Sequence, residues 1–313
     1  MSFPNSGTSY TINLVSAASN MSMASNYGWE LEVKSNTTNS TSANGTTVLT
    51  PAIPVLASAQ SAREGPFWLE PFGKRPHSVV LTKTHCGGYC HDCRPYKSVE
   101  TPYSFLMHCA MAEAEYFNIN ENRVMSDHFI YEYSEVDRAV HLFRDPFDNM
   151  VSRYHLGVHK VTKQNRTDLI ARYTYDAAGY NNFCSDKTYV QQEHSEYHVD
   201  QDVLRLIEDV PCHFDLFRYI QWHDLAFIIT DDYLTIPAHV IHYEDYSSDF
   251  NGTLQALLDF LELPNTGAYA EFVAGKSYRD YFTHDQIARM RTATMMLASP
   301  PTWHAVERYF DGY

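Results

Sequence analysis

The first ten residues, Met-Ser-Phe-Pro-Asn-Ser-Gly-Thr-Ser-Tyr, constrain the fold more than any other stretch of this chain. We expect a strand to end at Phe3, because Pro4 has no backbone N–H to donate to a neighbouring strand. Residues 5–9 then predict a loop that is tightest at Gly7, and apolar residues recur at helical spacing from position 10 onward. A strand–loop–helix junction of this kind binds anions, because unpaired N–H groups and the helix dipole favour negative charge there. An ordinary capped helix start is the alternative interpretation.

Three hydroxyl groups in this loop strengthen the anion interpretation. They belong to Ser6, Thr8 and Ser9. Each adds a hydrogen-bond donor to those of the backbone. The loop is therefore expected to hold a phosphate from several sides without a metal.

The composition limits the partners that the chain can have. Its 313 residues are 44% hydrophobic and carry a formal net charge of -15. Such an acidic chain lacks a broad basic face, so neither nucleic acid nor a polyanionic polysaccharide is expected as a partner. No apolar run approaches the roughly 20 residues that span a bilayer. Because the chain begins as if inside a strand, we expect membrane attachment only through an N-terminal anchor that precedes it.

Cysteine and asparagine usage bears on the compartment. The chain has six cysteines and several Asn-X-Ser/Thr sequons, which together favour a secretory lumen such as that of the Golgi. The cytoplasm is the alternative. Cys86, Cys90 and Cys93, with His91 among them, also invite a zinc interpretation. Disulfides are favoured instead, for example Cys184 with Cys212 and one pair within residues 86–109, although spacing alone does not fix the connectivity.

Strand and helix patterns alternate along the chain. This alternation predicts an α/β fold in which a parallel sheet is covered by helices on both faces. The predicted strands are 78–85, 138–143 and 238–242, and the predicted helices are the one after residue 10, 105–117, the one begun by Asp145 and Pro146, 214–227 and 254–263. We expect a single domain, 1–313, with an irregular exposed insertion at 35–76 and a substrate lid or insertion at 157–210.

Chemically useful side chains lie at the carboxyl ends of three of the predicted strands. They are the loop at residues 5–9, the sequence Lys83-Thr84-His85, and Arg144 with Ser152 on the helix that follows. The carboxyl ends of parallel strands meet at one edge of a sheet, where open α/β sheets bind ligands. Arg144 and Ser152 are expected to share one phosphate there.

These motifs resemble those of the sulfotransferases that use 3′-phosphoadenosine 5′-phosphosulfate (PAPS). Residues 3–10 resemble the family's 5′-phosphosulfate loop, Tyr-Pro-Lys-Ser-Gly-Thr-Thr-Trp, and residues 83–85 match the Lys-Thr-His segment of the cytosolic-type enzymes. Phe143-Arg-Asp-Pro-Phe-Asp-Asn-Met-Val-Ser-Arg-Tyr-His155 is similar to the family's 3′-phosphate motif. His242-Tyr-Glu-Asp245 resembles a later Tyr-Glu-Asp segment, and residues 276–283 weakly resemble an element near the C-terminus. The matches come in family order and span nearly the whole chain.

The resemblance implies a P-loop-like fold and a role for each matched residue. His85 would be the general base and Lys83 would stabilise the charge that develops on the transferred group. Ser6, Gly7, Thr8 and Ser9 would hold the 5′-phosphate, while Arg144 and Ser152 would hold the 3′-phosphate. Tyr10 would stack on adenine. The implied reaction moves a sulfuryl group from PAPS to a hydroxyl of a carbohydrate or small molecule and requires no metal.

The chain departs from the family pattern at two places. Asn5 stands where the family loop has a lysine, so Lys83 would carry more of the charge stabilisation. The family's Arg-Lys-Gly segment is missing, which leaves Lys276 and Arg279 as substitutes.

Two other functions remain open at this point. A P-loop nucleotide kinase would need a Gly-Lys-Ser/Thr ending that the loop lacks. A pseudoenzyme that binds the nucleotide without transferring sulfate is favoured by Asn5.

Asp145 and Asp148 are interpreted as helix-capping residues, and Glu244 and Asp245 as loop anchors, rather than as reacting carboxylates. Aromatic residues of the predicted lid are expected either to stack on an acceptor or to be partly buried, namely Tyr173, Tyr175, Tyr180 and Tyr189.

Overall fold

The computed structural model describes residues 1–21, 23–25, 55–56, 65–66, 81–86, 101–118, 123–130, 133–195, 200–267, 269, 272–273, 275 and 277–312. Within these residues the fold is mixed α/β and mostly helical. The helices are α1 (Thr8–Ser19), α2 (Pro102–Ala110), α3 (Pro146–Lys163), α4 (Thr167–Arg172), α5 (Ala177–Ser195), α6 (Gln201–Ile207), α7 (His213–Phe227), α8 (Asp245–Ser248), α9 (Phe250–Phe260), α10 (His284–Leu297) and α11 (Pro300–Val306). None of the helices in these ranges is long and apolar enough to cross a bilayer.

The strands are short and form pairs. They are β1 (Met23–Ser25), β2 (Val55–Leu56), β3 (Gly65–Pro66), β4 (Leu81–Lys83), β5 (Met111–Asn118), β6 (Arg123–Ile130), β7 (Ala139–Phe143) and β8 (Ala238–His242). The β1–β4 and β7–β8 pairs are parallel, whereas the β2–β3 and β5–β6 pairs are antiparallel.

The N-terminal segment, residues 1–3, joins the two parallel pairs of strands. The amide of Ser2 donates to the carbonyl of Thr84, just beyond β4, at 3.3 Å. On the other side, the amide of Leu142 in β7 donates to the carbonyl of Met1 at 3.0 Å, and Ser2 forms a parallel bridge with Leu142. The segment therefore lies between β4 and β7, and the described parallel segments follow the order β1, β4, N-terminal segment, β7, β8.

Strand β7 is buried on both faces. Val140 and Leu142 belong to a cluster of buried apolar residues that includes side chains of α1 and α9. The alternate residue Phe143 belongs to a second cluster, and its ring stacks on His223 of α7 with a centroid distance of 3.9 Å. Successive side chains of a strand point to opposite faces, so helices cover both sides of β7, as expected for a parallel sheet that helices cover on both faces.

Several predicted elements are present with nearly the predicted bounds. In α1 the apolar positions are buried as the helical spacing predicts: Ile12, Leu14, Val15 and Ala18. At the start of α3 the Asp145 carboxylate accepts the amide of Phe147 at 2.8 Å, which confirms its capping role. Strand β8 has the predicted bounds, and α7 begins one residue before its predicted start.

The prediction of one helix over 105–117 was wrong. Helix α2 ends at Ala110, and residues 111–118 form a strand that pairs with β6 in a hairpin. The sequence Met-Ala-Glu-Ala-Glu-Tyr alternates apolar and polar residues, a period that suits a strand, although Ala and Glu favour helix individually. Pairing with β6 outweighs these intrinsic preferences.

Other predicted bounds also needed correction. Helix α9 covers Phe250–Phe260 rather than 254–263, because the Asp249 carboxylate accepts the amide of Gly252 and starts the helix earlier. No helix is predicted within the expected lid or insertion at 157–210, yet its described part is mostly helical and adds buried side chains such as Tyr180 to the core. A role as a lid remains a prediction. Of the insertion at 35–76, only β2 and β3 lie within the described residues.

Two disulfide bonds tie these elements together. Cys184 of α5 is bonded to Cys212, as the sequence suggested, and Cys86 is bonded to Cys109 of α2. Cys86 and Cys109 are therefore not available as thiolate ligands for the alternative zinc site. Cys90, His91 and Cys93 lie outside the described residues. The two bonds indicate an oxidising, secretory-type environment.

Two histidines are completely buried beside β7. His141 and His223 have no exposed surface, and within the described part of the chain none of their ring nitrogens has a hydrogen-bond partner. Burial lowers the pKa of His141 to about 3 and also holds the pKa of His223 well below its usual range. Both imidazoles are therefore neutral in the folded protein, whereas an unfolded histidine gains a proton near pH 6.5.

This difference predicts that acid destabilises the fold. The contribution of each histidine is complete above pH 6.5 and is lost as the pH falls below it, because the unfolded chain then binds protons that the folded chain excludes. In His223→Phe, which keeps a ring against Phe143, the loss of unfolding free energy between pH 7 and pH 5 is expected to be smaller by about 2 kcal/mol. Urea titrations at the two pH values measure the difference. The exposed His159→Gln should behave as wild type, and equal losses in His223→Phe and wild type would contradict the prediction.

Candidate functional site

The N-terminal loop, residues 4–9, runs from the N-terminal segment into α1. Asn5 and Gly7 both have left-handed backbone conformations, with φ of 66° and 90°. Gly7 occupies the N-cap position and has no side chain with which to cap the helix, and its carbonyl accepts the amide of Thr11 at 3.0 Å. The first turn of α1 contains no acidic residue. The amides at this helix start are thus arranged to favour an anion.

Gly7 is required at its position because an aromatic ring fills the space of a side chain. A Cβ atom at this position would lie 2.2 Å from Cδ2 of Tyr243. The ring of Tyr243 also lies beneath the Arg144 guanidinium, with 5.3 Å from Cζ to the ring centroid. Tyr243 follows β8, and its amide donates to the carbonyl of Phe143 at 2.9 Å. One residue from a neighbouring strand end thus supports both the loop and the cation.

Lys83 reaches the loop from the end of β4. Its Nζ donates to Oγ of Ser9 at 3.0 Å, and the residue is only 5% exposed. The ammonium group therefore lies at the first turn of α1, where the loop amides converge. This placement brings together two of the elements that the sequence predicted.

His85 lies two residues beyond Lys83, and one of its nitrogens is fixed by the backbone. Nδ1 is 2.8 Å from the carbonyl oxygen of Ser2. A carbonyl only accepts, so Nδ1 carries the proton and Nε2 carries the lone pair. Burial, followed by the positive charge of Lys83, lowers the pKa of the imidazole to about 3. At neutral pH, His85 is therefore uncharged, with Nε2 able to accept a proton.

Arg144 is tied to the opposite end of the loop. Its Nη1 donates to the carbonyl of Asn5 at 2.7 Å. Ser152 is half-buried on α3, eight residues further along the chain. Within the described part of the chain no hydrogen bond joins the Arg144 and Ser152 side chains. Their shared phosphate remains a prediction.

The two C-terminal candidates have different outcomes. Lys276 lies outside the described residues. Arg279 donates from Nη2 to Oδ2 of Asp145 at 2.9 Å and also to the carbonyl of Tyr309. The guanidinium thus braces the cap of α3. A role of Arg279 in holding the 3′-phosphate remains a prediction. Burial, followed by the nearby charge of Asp148, raises the pKa of Asp145 to about 6.

The acidic residues near the site support backbone rather than facing the loop. The amide of Asp145 donates to Oε1 of Glu244 at 3.0 Å, and the hydroxyl of Tyr309 donates to Oε2 at 2.7 Å. Asp245 pairs with Arg308 at 2.7 Å. These contacts confirm the interpretation of Glu244 and Asp245 as anchors.

Tyr10 lies at the edge of an aromatic cluster. Its ring, which is half-buried, meets the rings of Tyr246 and Phe272 edge-on at centroid distances of 5.4 and 5.0 Å. The role of Tyr10 as a stacking platform for adenine remains a prediction. Of the aromatic residues predicted for the lid, Tyr173 and Tyr180 are buried, and Tyr175 is exposed. The side chain of Tyr189 lies outside the described residues.

Sequence reasoning missed two residues of the site. Asn149 is fully buried, and its Nδ2 donates to the carbonyl of Pro4 at 2.9 Å and to Oγ of Ser6 at 3.2 Å, which ties α3 to the loop. The other is Tyr243, described above. Both lie inside the motifs at 143–155 and 242–245, so their position within a motif was the available signal.

Comparisons with known proteins add no assignment. No protein-family model, curated protein or solved structure matches the chain. Any function for this site must therefore be argued from its own geometry.

The arrangement combines groups that suit anion binding with a group that suits proton acceptance. Lys83 and Arg144 contact opposite ends of one loop, and a neutral imidazole adjoins the strand from which that loop begins. Among the described residues no group of three or more His, Cys, Asp or Glu side chains is placed to hold a metal ion. The residues present can hold a phosphorylated ligand and remove a proton beside it.

The contact between Gly7 and Tyr243 makes a stability prediction. Gly7→Ala adds a Cβ where the ring lies and forces a side chain into a left-handed conformation, so a loss of about 2 kcal/mol or more in unfolding free energy is expected. Gly275→Ala is the matched control, because among the described residues no atom outside its chain neighbours lies within 4 Å of the added Cβ. Urea unfolding compares the two variants. Equal stability would show that the ring does not confine the loop.

Proposed function

We propose that this protein is a sulfotransferase, which moves the sulfuryl group of PAPS to a hydroxyl of a carbohydrate or small molecule. The observation that carries the proposal is that Lys83, His85 and Arg144 all contact the first nine residues, from which they are distant in sequence. Lys83 contacts Ser9, Arg144 contacts Asn5, and His85 contacts the carbonyl of Ser2. Binding a nucleotide that carries a 5′- and a 3′-phosphate calls for an anion-binding loop and two cations. Transfer of its sulfuryl group calls for a nearby base.

The strand arrangement supports a P-loop-like fold for the site. The segment that leads into the loop lies between β4 and β7, and Lys83 and Arg144 stand at the carboxyl ends of those two flanking strands. Open α/β sheets bind ligands at this edge. Helix α1 then starts where the 5′-phosphate would lie.

The residues define a reaction without a covalent enzyme intermediate. Nε2 of His85 takes the proton of the acceptor hydroxyl as the oxygen attacks sulfur. The new S–O bond forms while the S–O bond to the donor's 5′-phosphate breaks, and adenosine 3′,5′-bisphosphate leaves with the bonding electrons. Lys83 and the loop amides stabilise the negative charge on the departing phosphate.

The protonation state of His85 suits this role. Its depressed pKa keeps Nε2 unprotonated at neutral pH, and a bound anionic donor next to it would raise that pKa toward the range where a base works best. The Ser2 carbonyl also favours the imidazolium that forms, because it accepts the hydrogen of Nδ1.

Asn5 is compatible with transfer despite the missing lysine. Position 5 has a φ of 66°, a conformation that asparagine tolerates better than most residues. Its backbone carbonyl orients Arg144, so two cations still meet the loop. The disulfides fit a secretory compartment. The Golgi lumen is the compartment that we propose.

Transfer should depend on His85 while nucleotide binding does not. His85→Gln is expected to lower the rate of sulfate transfer about 100-fold or more, since general-base catalysis contributes roughly 10²–10⁴. Calorimetry with adenosine 3′,5′-bisphosphate should give nearly the wild-type affinity. The exposed His159→Gln controls for the substitution.

The assay uses isotopically labelled PAPS with a panel of glycans, phenols and peptides, and mass spectrometry of the products. Binding without transfer to any acceptor would favour the pseudoenzyme. Absence of nucleotide binding to wild type would reject the proposal.

Arg144 should determine selectivity for the 3′-phosphate. In Arg144→Ala the affinity for adenosine 3′,5′-bisphosphate is expected to fall about 10- to 100-fold, as for a lost charge-assisted hydrogen bond, while that for adenosine 5′-monophosphate falls much less. Arg166→Ala, which removes an exposed guanidinium paired with Asp168, is the control. An equal loss for both nucleotides would place Arg144 elsewhere than at the 3′-phosphate.

A further inference from the structure

We infer that Tyr219 and Trp222 of α7 are positioning residues, which hold the peptide groups of Arg144 and His85 at a fixed separation across the sheet edge. This inference rests on the proposed function, because it concerns the two ends of the same site. Neither residue belongs to a motif that the sequence singled out.

Each of the two side chains donates one hydrogen bond to a site residue. Nε1 of Trp222 donates to the carbonyl of His85 at 2.9 Å. The hydroxyl of Tyr219 donates to the carbonyl of Arg144 at 2.7 Å. The two donors are three residues apart and therefore share one face of α7. A single helix thus contacts the backbone of both the candidate base and the candidate 3′-phosphate ligand.

These carbonyls lie just beyond the strand ends. His85 follows β4 and Arg144 follows β7, where ladder pairing no longer fixes every peptide group. Because a residue's backbone sets the direction of its Cα–Cβ bond, a donor that fixes the peptide plane also fixes where the side chain starts. Tyr219 and Trp222 supply this constraint from a rigid element rather than from the loops themselves.

The N-terminal segment is held between the same two side chains. The ring of Phe3 meets that of Tyr219 at 5.5 Å and that of Trp222 at 6.4 Å, both edge-on. All three rings are essentially unexposed. Trp222 also meets Phe105 of α2 at 5.5 Å, and α2 is bonded to Cys86 through Cys109. The two strand ends and the segment that leads into the loop therefore all contact one face of α7.

The two hydrogen bonds should influence different steps. Trp222 acts through His85, so its loss should affect proton removal. Tyr219 acts through Arg144, so its loss should affect nucleotide affinity. A purely structural role would lower stability without separating these effects.

The test compares Trp222→Phe and Tyr219→Phe, which remove the donor atoms and keep an aromatic ring. Tyr154→Phe is the matched control, because the buried Tyr154 hydroxyl donates to a backbone carbonyl, that of Thr174, which belongs to neither His85 nor Arg144. Nitrogen-15 NMR of labelled histidine at pH 7.5 reports the tautomer of His85, with His85→Gln identifying the signal. Calorimetry with adenosine 3′,5′-bisphosphate reports the nucleotide site.

In wild type and Tyr154→Phe, His85 should give a pure Nδ1–H signal. In Trp222→Phe a mixture with the Nε2–H form is expected, together with a roughly tenfold lower kcat and an unchanged KM for PAPS. Tyr219→Phe should keep the pure tautomer and kcat but weaken bisphosphate affinity about 5- to 10-fold, the usual effect of one lost hydrogen bond.

A wild-type tautomer in Trp222→Phe combined with wild-type affinity in Tyr219→Phe would overturn the inference. If Trp222→Phe does not fold, the affinity of Tyr219→Phe decides. If wild type binds no bisphosphate, the proposed function fails, and the His85 tautomer in Trp222→Phe still decides whether α7 positions this residue.

Discussion

The placement of Met1–Phe3 between two parallel strands is the constraint on which the rest of the site depends. Hydrogen bonds to Thr84 on one side and from Leu142 on the other hold the segment in place. The loop after it must then emerge at the edge where β4 and β7 also end. This geometry brings residues about 80 and 140 positions further along the chain to within hydrogen-bond distance of the first nine.

The charged side chains at this edge of the sheet form two groups with different contacts. The cations Lys83 and Arg144 contact the loop, whereas the carboxylates of Asp145 and Glu244 are turned toward backbone amides, Arg279 and Tyr309. A chain with a formal net charge of -15 can therefore present a locally positive surface to a ligand. The acidic groups fix the start of α3 and the end of β8 instead of opposing an anion.

Local patterns account for the parts of the fold that could be predicted. The largely apolar sequence of residues 139–143 indicated β7, and Asp145 before Pro146 indicated the start of α3, because each signal lies within a few neighbouring residues. The hairpin of β5 and β6 was missed, since alanine and glutamate favour a helix locally and only pairing with β6 selects a strand. The helices within 157–210 were missed because their polar and aromatic residues pack against partners distant in sequence.

The candidate site shows the same division. The loop, Lys83, His85 and Arg144 could be named from their motifs, and the structure brings them together. The support of Gly7 by Tyr243 and of the strand ends by α7 could not be named, because side-chain contacts to distant backbone leave no local pattern. Conversely, Arg279 could be named, but its ion pair with Asp145 could not be predicted. That pair depends on how the C-terminal segment folds back on α3.

The hydrogen bond between His85 and the carbonyl of Ser2 has an evolutionary consequence. Every amino acid provides a carbonyl, so the identity of residue 2 can drift while the same imidazole nitrogen keeps its hydrogen. The two positions would then show no covariation among related sequences, although one controls the chemistry of the other. The tautomer is kept as long as the backbone of residue 2 follows the same path, and sequence alignments do not record backbone paths.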